Sequence, residues 1–374
     1  MSGQDRVVAN VVSDVHHPGG FGVHARGFTA ALSRLAPIAV GLPKRFDVPI
    51  SACVSEVGSR PFSQRAPTIW IGPVMPVPDL PGTKKIGWIT WETTKVPEPY
   101  VSALRQFDSL WVPSKFCRDL LAASLGADLP VEVVQEGVDE QLFYPPAMPR
   151  SVREGPFRFL TIGKWERRKG HESVVQAFLR AFSKQDNVEL GLRLTPSNKD
   201  SNSAAEELQM LLKAYPPGRR PAVRLLPPSD PSELAQLYRD SHAFVLATRS
   251  EAWGLPILEA MACGLPCIVT EYGGHLDYCT HQNTYLVPPK GLVRVSDPVY
   301  FPSKHDWGFW AEPDVERIAE AMHAVWTHYG EACLLGQRAH HDATTRWSWT
   351  HSARVACNHL GRMESAPAAP ERRK

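Results

Sequence analysis

The sequence predicts an α/β protein built as two domains, each a mainly parallel sheet with helices on both faces. Three observations predict it. The chain has 374 residues, more than one ordinary hydrophobic core serves. Short β-branched runs alternate with helical patterns from the first residues onward. That rhythm stops at one proline-rich stretch and then restarts.

In order, RVVANVVSD reads as a strand and HARGFTAALSRL as a helix with apolar residues at three- to four-residue spacing. Strands follow at IAVGL, PTIWIG, KKIGWIT, SLWVPS and VEVVQEG, with helical stretches at PEPYVSALRQF and KFCRDLLAASLG. The stretch YPPAMPRSVREGP, residues 144–156, can neither continue a helix nor join a sheet, and reads as a linker. Strand and helix then alternate again: FRFLTIG, GHESVVQAFLRAF, VELGLRLT, AAEELQMLLKAY, AVRLLPP, DPSELAQLYRDS, AFVLAT, LPILEAMACG and PCIVTEY. Near the end, AEPDVERIAEAMHAVWTHYG and WTHSARVACNHLGRM read as amphipathic helices, and ESAPAAPERRK as a disordered tail. The expected domains are residues 1–150 and 151–345. A helix at 346–363 packs back toward the first domain, and a tail occupies 364–374. Ligands of such sheets bind beyond the carboxyl ends of the strands.

A net charge of +2 and a charged fraction of 21%, without long basic runs, do not point to a nucleic-acid partner. The N-terminus lacks the basic and apolar regions of a signal peptide, and no apolar run approaches membrane-spanning length, so a cytoplasmic location is expected. Seven cysteines, an odd number scattered through apolar segments, suit buried thiols better than a disulfide framework. Cys263 and Cys267 are the closest pair, but neither a second pair nor a His-x3-His accompanies them to complete a zinc site.

Three stretches carry chemistry. In TRSEAWGLPILEAMACGLPCIVTEYGG, Glu251 lies in a loop after a buried strand and Glu259 lies inside a short helix whose first helical position Pro256 fits. No Ser, Thr, Asp or Asn stands at 253–255 to cap that helix, so its first amides are open to phosphate or sugar oxygens. Glu259 can accept two hydrogen bonds from a vicinal diol such as ribose. Alone, the pair also reads as a solvated loop charge and a residue complementing the helix dipole. In TIGKWERRKGHES, Lys164, Arg167, Arg168 and Lys169 crowd a helix N-terminus, where positive charge is unfavourable unless an anion is present. In HHPGGFGVHARGF, Gly19, Gly20 and Gly22 let the backbone approach a ligand closely. Gly20-x-Gly22-x-x-Ala25 also fits a dinucleotide fingerprint, which keeps an NAD-dependent oxidoreductase as an alternative.

Together these stretches resemble the retaining GT-B glycosyltransferases of family four, the glycosyl transferases group 1. The E-x7-E stretch at Glu251 and Glu259, the basic loop at Lys164 and Lys169, and the glycine loop carry the resemblance, joined by QEGVDEQLFYP and SELAQLYRDSHAFVLAT. It implies the GT-B fold and hexosyl transfer from a nucleotide sugar without metal or other cofactor. Lys164, Lys169 and Arg168 would then meet the donor diphosphate, Glu251 the donor sugar and Glu259 the ribose, joined by backbone amides around Gly254, Leu255 and Pro256. GDP-mannose or a UDP-sugar would be the donor. A glycan, a lipid-linked glycan or a small molecule would be the acceptor, the lipid-linked case being compatible with peripheral membrane association. Two departures stand out. Trp91 and Glu92 occupy the region where many relatives carry a His, with Glu92 able to orient an acceptor hydroxyl or act as a weak base. Residues 288–310 read as an insertion. The first departure keeps a non-catalytic nucleotide-sugar-binding protein as a further alternative.

Overall fold

The computed structural model describes residues 7–41, 52–147, 155–195, 201–216 and 218–365. The middle of the expected linker, 148–154, and the tail from 366 lie outside the described residues.

The first half runs β1 (Ala9–Ser13), α1 (Gly20–Ser33), β2 (Ile38–Gly41), α2 (Ala52–Val57), β3 (Thr68–Ile71), β4 (Lys85–Trp88), α3 (Glu98–Leu104), β5 (Ser109–Val112), α4 (Lys115–Leu125) and β6 (Val131–Val133). Its strands form one parallel sheet in the order β2-β1-β3-β4-β5-β6. Helices cover both faces, so β3 and β5 are buried at every position and read as unbroken apolar runs instead of alternating ones. Helix α4 starts at Ser114, whose hydroxyl accepts the Cys117 N–H at 3.2 Å.

The second half runs β7 (Phe157–Lys164), α5 (His171–Ala181), β8 (Val188–Thr195), α6 (Ser201–Lys213), β9 (Ala222–Leu226), α7 (Pro231–Asp240), β10 (Ala243–Leu246), α8 (Leu255–Ala262), β11 (Cys267–Thr270) and β12 (Tyr285–Val287). This sheet is again parallel, in the order β12-β11-β10-β7-β8-β9. A capping box of Asp230 and Glu233, with Pro231 in the first turn, fixes the start of α7. An antiparallel hairpin of β13 (Gly291–Arg294) and β14 (Phe309–Glu312) precedes α9 (Val315–Thr327), α10 (Tyr329–Arg346) and α11 (Trp349–Ser365).

The chain crosses between the halves twice, and the crossings touch. Val138 bridges Ser348, its N–H donates to the Trp347 carbonyl at 2.9 Å, and the Ser352 hydroxyl donates to the Gln135 carbonyl at 2.5 Å. Helix α11 then lies on α1, where Trp349, Ala353, Ala356 and Leu360 share a core with Phe28 and Trp88. The two facing α/β halves, each wound about its own parallel sheet, are Rossmann-like.

Three details differ from the sequence reading. Helix α1 begins at Gly20, before the predicted His24, because the glycine loop supplies its first turn. The sequence reading had no counterpart for α2, the hairpin or α10. Helix α11 continues to Ser365, into the stretch expected as tail.

Candidate active site

In a doubly wound sheet, ligands bind where the strand order reverses, beyond the carboxyl ends of the strands. The second sheet reverses between β7 and β10, and the first between β1 and β3. The basic loop leaves β7, Glu251 follows β10, and the glycine loop leaves β1. Topology alone therefore brings these sequence-predicted stretches to the two switch points.

After β7 the chain makes a 3-10 turn at Arg167–Lys169 and enters α5 through Gly170, whose φ is 67°. A Cβ there would lie 1.7 Å from the Ala247 carbonyl oxygen, so only glycine lets the basic turn seat on the end of β10. The Arg249 N–H donates to the Arg168 carbonyl at 2.7 Å and locks the two loops together.

Lys169 Nζ donates to both oxygens of Glu251, at 2.7 and 2.8 Å. Arg168, only 9% exposed, donates through one amino group to the Ser250 carbonyl at 2.7 Å and through the other to Glu166 at 2.6 Å. It also lies 3.4 Å from Glu251 and 3.3 Å from Glu92. Arg168 is thus a buried strut among carboxylates, and Lys169 is the turn's cation bound to Glu251. Burial alone would raise the Glu251 carboxyl, but Lys169 and Arg168 overcome it and hold it at about 2. Burial lowers the Arg168 guanidinium's affinity for its proton, yet Glu92, Glu166 and Glu251 together raise it. Lys164 has its pKa lowered by burial.

Glu92 follows β4 and faces this cluster from the first half, 24% of its side chain exposed. Its carboxyl is raised by burial, opposed by Arg168 and reinforced by the charge of Glu251. Trp91 turns the other way, stacking on Trp307 with ring centres 5.8 Å apart and donating from its indole to the Lys95 carbonyl at 3.3 Å. Of these two residues, Glu92 points into the cleft and Trp91 into the core.

Helix α8 starts at Gly254, φ 96°, with no side-chain cap. Gly254 and Leu255 bring backbone N–H groups to this terminus. Pro256 brings none, and its carbonyl accepts from the Tyr238 hydroxyl at 3.2 Å. The open amides at this helix start are therefore those of Gly254 and Leu255. Glu259, 7% exposed, accepts the same hydroxyl at 2.8 Å. Burial raises its carboxyl to about 7, against the Tyr238 hydrogen bond and the charge of Arg193. Arg193 is itself held by Ser229, through Nε at 3.1 Å and a terminal nitrogen at 3.0 Å.

On the opposite wall, Gly19 precedes α1, and its N–H donates to His17 Nδ1 at 2.9 Å. A Cβ on Gly22 would lie 1.8 Å from the His17 carbonyl oxygen, whereas one on Gly20 would meet nothing within 4 Å. The loop thus folds back over Gly22 and leaves open space at Gly20. His17 has its pKa lowered by burial and then by Lys164, so the glycine loop and the basic loop face each other. Residues 14–19 intervene between β1 and Gly20, unlike the tight turn that a dinucleotide fingerprint needs.

Sequence reasoning missed Tyr238, Arg193 and Glu166. Glu166, an acid within a basic run, was the readable signal. Among the described residues no group of three His, Cys, Asp or Glu is placed to hold a metal ion, and no helix is long and apolar enough to cross a membrane. Cys117, Cys263, Cys267 and Cys279 are buried and take part in no disulfide.

Residues 148–294 match the family described as glycosyl transferases group 1. The chain is 33% identical over 149 residues to a D-inositol 3-phosphate glycosyltransferase of Arthrobacter sp. (strain FB24), an alignment covering 38% of this chain and 34% of that protein. The first curated relatives are matched over only 34–40% of their own length. Whole-chain likeness appears in solved structures. Sucrose-phosphate synthase from Thermosynechococcus elongatus superposes with a TM-score of 0.70 at 17% identity, covering 97% of this chain and 100% of that one. Anabaena HepE in complex with UDP and glucose gives 0.68 at 13% identity, covering 96% and 100%. Residues 148–294 are thus similar to the glycosyl transferases group 1, and the chain as a whole takes the two-domain GT-B fold.

Proposed function

We propose that this chain transfers a sugar from a nucleotide-sugar donor to an acceptor hydroxyl with retention of anomeric configuration. The observation that carries the reading is the Lys169–Glu251 pair at the carboxyl ends of the adjacent strands β7 and β10, beside the uncapped start of α8. Lys169 and Lys164 neutralise the charge that develops on the departing diphosphate, supplying from fixed side chains what a divalent ion supplies elsewhere, without a further cofactor. The Gly254 and Leu255 N–H groups donate to phosphate oxygens. Glu251, ionised at neutral pH, accepts from donor sugar hydroxyls, and Glu259 from the ribose. A diphosphate on Lys169 competes with the Glu251 carboxylate, so donor binding exchanges the Lys169–Glu251 contact for phosphate on the lysine and sugar on the glutamate.

Gly19, Gly20 and Gly22 form the opposite wall, where the first half receives the acceptor and Glu92 orients its hydroxyl. The acceptor oxygen bonds to the anomeric carbon on the face from which the diphosphate oxygen leaves, and that oxygen takes the acceptor proton. Arg168 holds Glu92, Glu166 and Glu251 in register across the cleft.

GDP-mannose and UDP-sugars are the donor candidates, a UDP donor being the ligand of the HepE structure. Acceptor candidates are glycans, lipid-linked glycans and small molecules. The relatives named for D-inositol 3-phosphate add a phosphorylated polyol to that panel. The reading places the protein in the cytoplasm, at a membrane surface if the acceptor is lipid-linked.

The test is to incubate the chain with this donor and acceptor panel and read the product's anomeric configuration by NMR. Transfer with retention, reduced about a hundredfold or more in Lys169→Ala and Glu251→Gln, is expected. An inverted product, or wild-type rates in both variants, defeats the reading. A non-catalytic nucleotide-sugar-binding role is the second reading, favoured by the engagement of Glu92 with Arg168. Donor binding without transfer or hydrolysis across the panel decides for it.

A further inference from the structure

Residues 288–310, an insertion in the sequence, form a strap between the two halves. Just past its C-terminal end, the Ala311 N–H donates to the Arg249 carbonyl at 2.9 Å and Glu312 pairs with the Arg249 guanidinium at 3.0 and 3.2 Å. A few residues earlier, Trp307 stacks on Trp91 and meets Tyr100 edge-on at 4.9 Å, while the Thr94 and Lys95 N–H groups donate to the Phe309 and Trp307 carbonyls, each at 3.2 Å. Anchored to both halves through residues 307–312, the strap makes a tight turn at 297–301. Asp297, 4% exposed, accepts the Val299 and Tyr300 N–H groups at 3.1 and 3.4 Å, and its carbonyl accepts the Phe301 N–H at 2.7 Å. That turn sets the Tyr300 ring 5.7 Å from Lys164 Nζ.

We infer that Tyr300, delivered by the strap, is a positioning residue of the nucleotide-sugar site that holds the Lys164 ammonium ready for the donor diphosphate. The inference rests on the glycosyltransferase reading above, in which Lys164 meets that diphosphate. Lys169 is bound by Glu251 and Arg168 by carboxylates, but Lys164 forms no ion pair among the described residues. A lysine ends in a compact charge on a flexible stem, and fixing the stem costs rotamer freedom. An aromatic face within about 6 Å attracts the ammonium through its quadrupole, more strongly when both groups are partly withdrawn from water. Tyr300 therefore fixes the stem before the donor arrives, leaving the N–H donors of the ammonium available to phosphate. Because the strap is anchored on both halves, the grip on the diphosphate is coupled to the spacing of the cleft.

The experiment is calorimetric titration of UDP, GDP and inorganic pyrophosphate into the wild type, Tyr300→Phe, Tyr300→Leu, Lys164→Ala and the Tyr300→Leu/Lys164→Ala double variant, with thermal melts confirming the fold. Tyr300→Phe keeps the ring and binds within about twofold of wild type, whereas Tyr300→Leu weakens all three probes about fivefold or more. In the Lys164→Ala background, Tyr300→Leu causes no further loss, because the two side chains act as one unit. Wild-type binding by Tyr300→Leu, a Tyr300→Phe as weak as Tyr300→Leu, or an undiminished Tyr300→Leu effect in the Lys164→Ala background overturns the inference alone. Wild-type binding by Lys164→Ala overturns it together with the role given to Lys164.

Discussion

Glu259 makes nucleotide-sugar affinity depend on pH in a direction the structure fixes. The carboxyl is buried, hydrogen-bonded by Tyr238 and raised to about 7. A ribose diol donates to the ionised form, so that form is the binding-competent one. With a pKa of about 7, roughly a tenth of the population is ionised at pH 6 and roughly nine tenths at pH 8. Apparent affinity scales with the competent fraction, so binding should tighten about tenfold across that interval. The assay is calorimetry with intact UDP-glucose and GDP-mannose, whose esterified diphosphates keep a constant charge in this range. Glu259→Gln removes the titrating group and should flatten the profile while weakening binding at pH 8. The same shift sets a stability slope of the opposite sense. A carboxyl raised on folding binds its proton more tightly when folded, so stability is full below about pH 4.5 and falls as pH rises toward 7. At pH 8 Glu259→Gln should therefore unfold at higher denaturant than the wild type. A flat wild-type binding profile, or an equal slope in Glu259→Gln, refutes the role given to Glu259.

Glu251 has the reverse sign: its folded pKa is depressed to about 2, so its contribution is complete above about pH 4.5 and is lost as pH falls through 2. Glu251→Ala should cost roughly 3 kcal/mol in denaturant unfolding at pH 7, with the gap to wild type narrowing as pH falls from about 4.5 to about 2. Gly170→Ala puts a side chain into the left-handed region and against the Ala247 carbonyl. It should cost about 2 kcal/mol or more and lower transfer activity together with stability. Trp307→Ala empties the aromatic nest of Trp91 and Tyr100, and should cost about 3–5 kcal/mol by chemical denaturation.

Local pattern carried much of the fold, and the reasons are visible in particular elements. The strands β3, β5, β10 and β11 are buried on both sides, so their apolar runs stand out, and Asp230-Pro231 and Ser114 mark helix starts by their own chemistry. The start of α8 was likewise legible from what it lacks, a capping side chain at 253–255. The hairpin was not, because β13 and β14 are joined by the long segment 295–308 without a two-residue turn signal. Helix α10 was missed for a similar reason: Gly336 interrupts its pattern, and only the fold explains that glycine, since a Cβ there would lie 2.4 Å from the Gly264 carbonyl oxygen. The partners of the site residues were beyond local reading altogether. Lys169 meets Glu251 across 82 positions, and Arg168 meets Glu92 from the other half of the chain. Spacing named the charged residues at the site, whereas their pairing follows from the order β10-β7 in the sheet.

The most direct measurement is a crystal structure of the chain soaked with a nucleoside diphosphate. The account predicts phosphate oxygens within hydrogen-bonding distance of Lys169 Nζ and Lys164 Nζ, the ribose hydroxyls on Glu259, and Glu251 released from Lys169 on the sugar side. Density for the diphosphate elsewhere, as in the cavity of about 280 Å³ lined by Trp165, Arg167, Glu207 and Asp297 on the strap side of the basic turn, would contradict it.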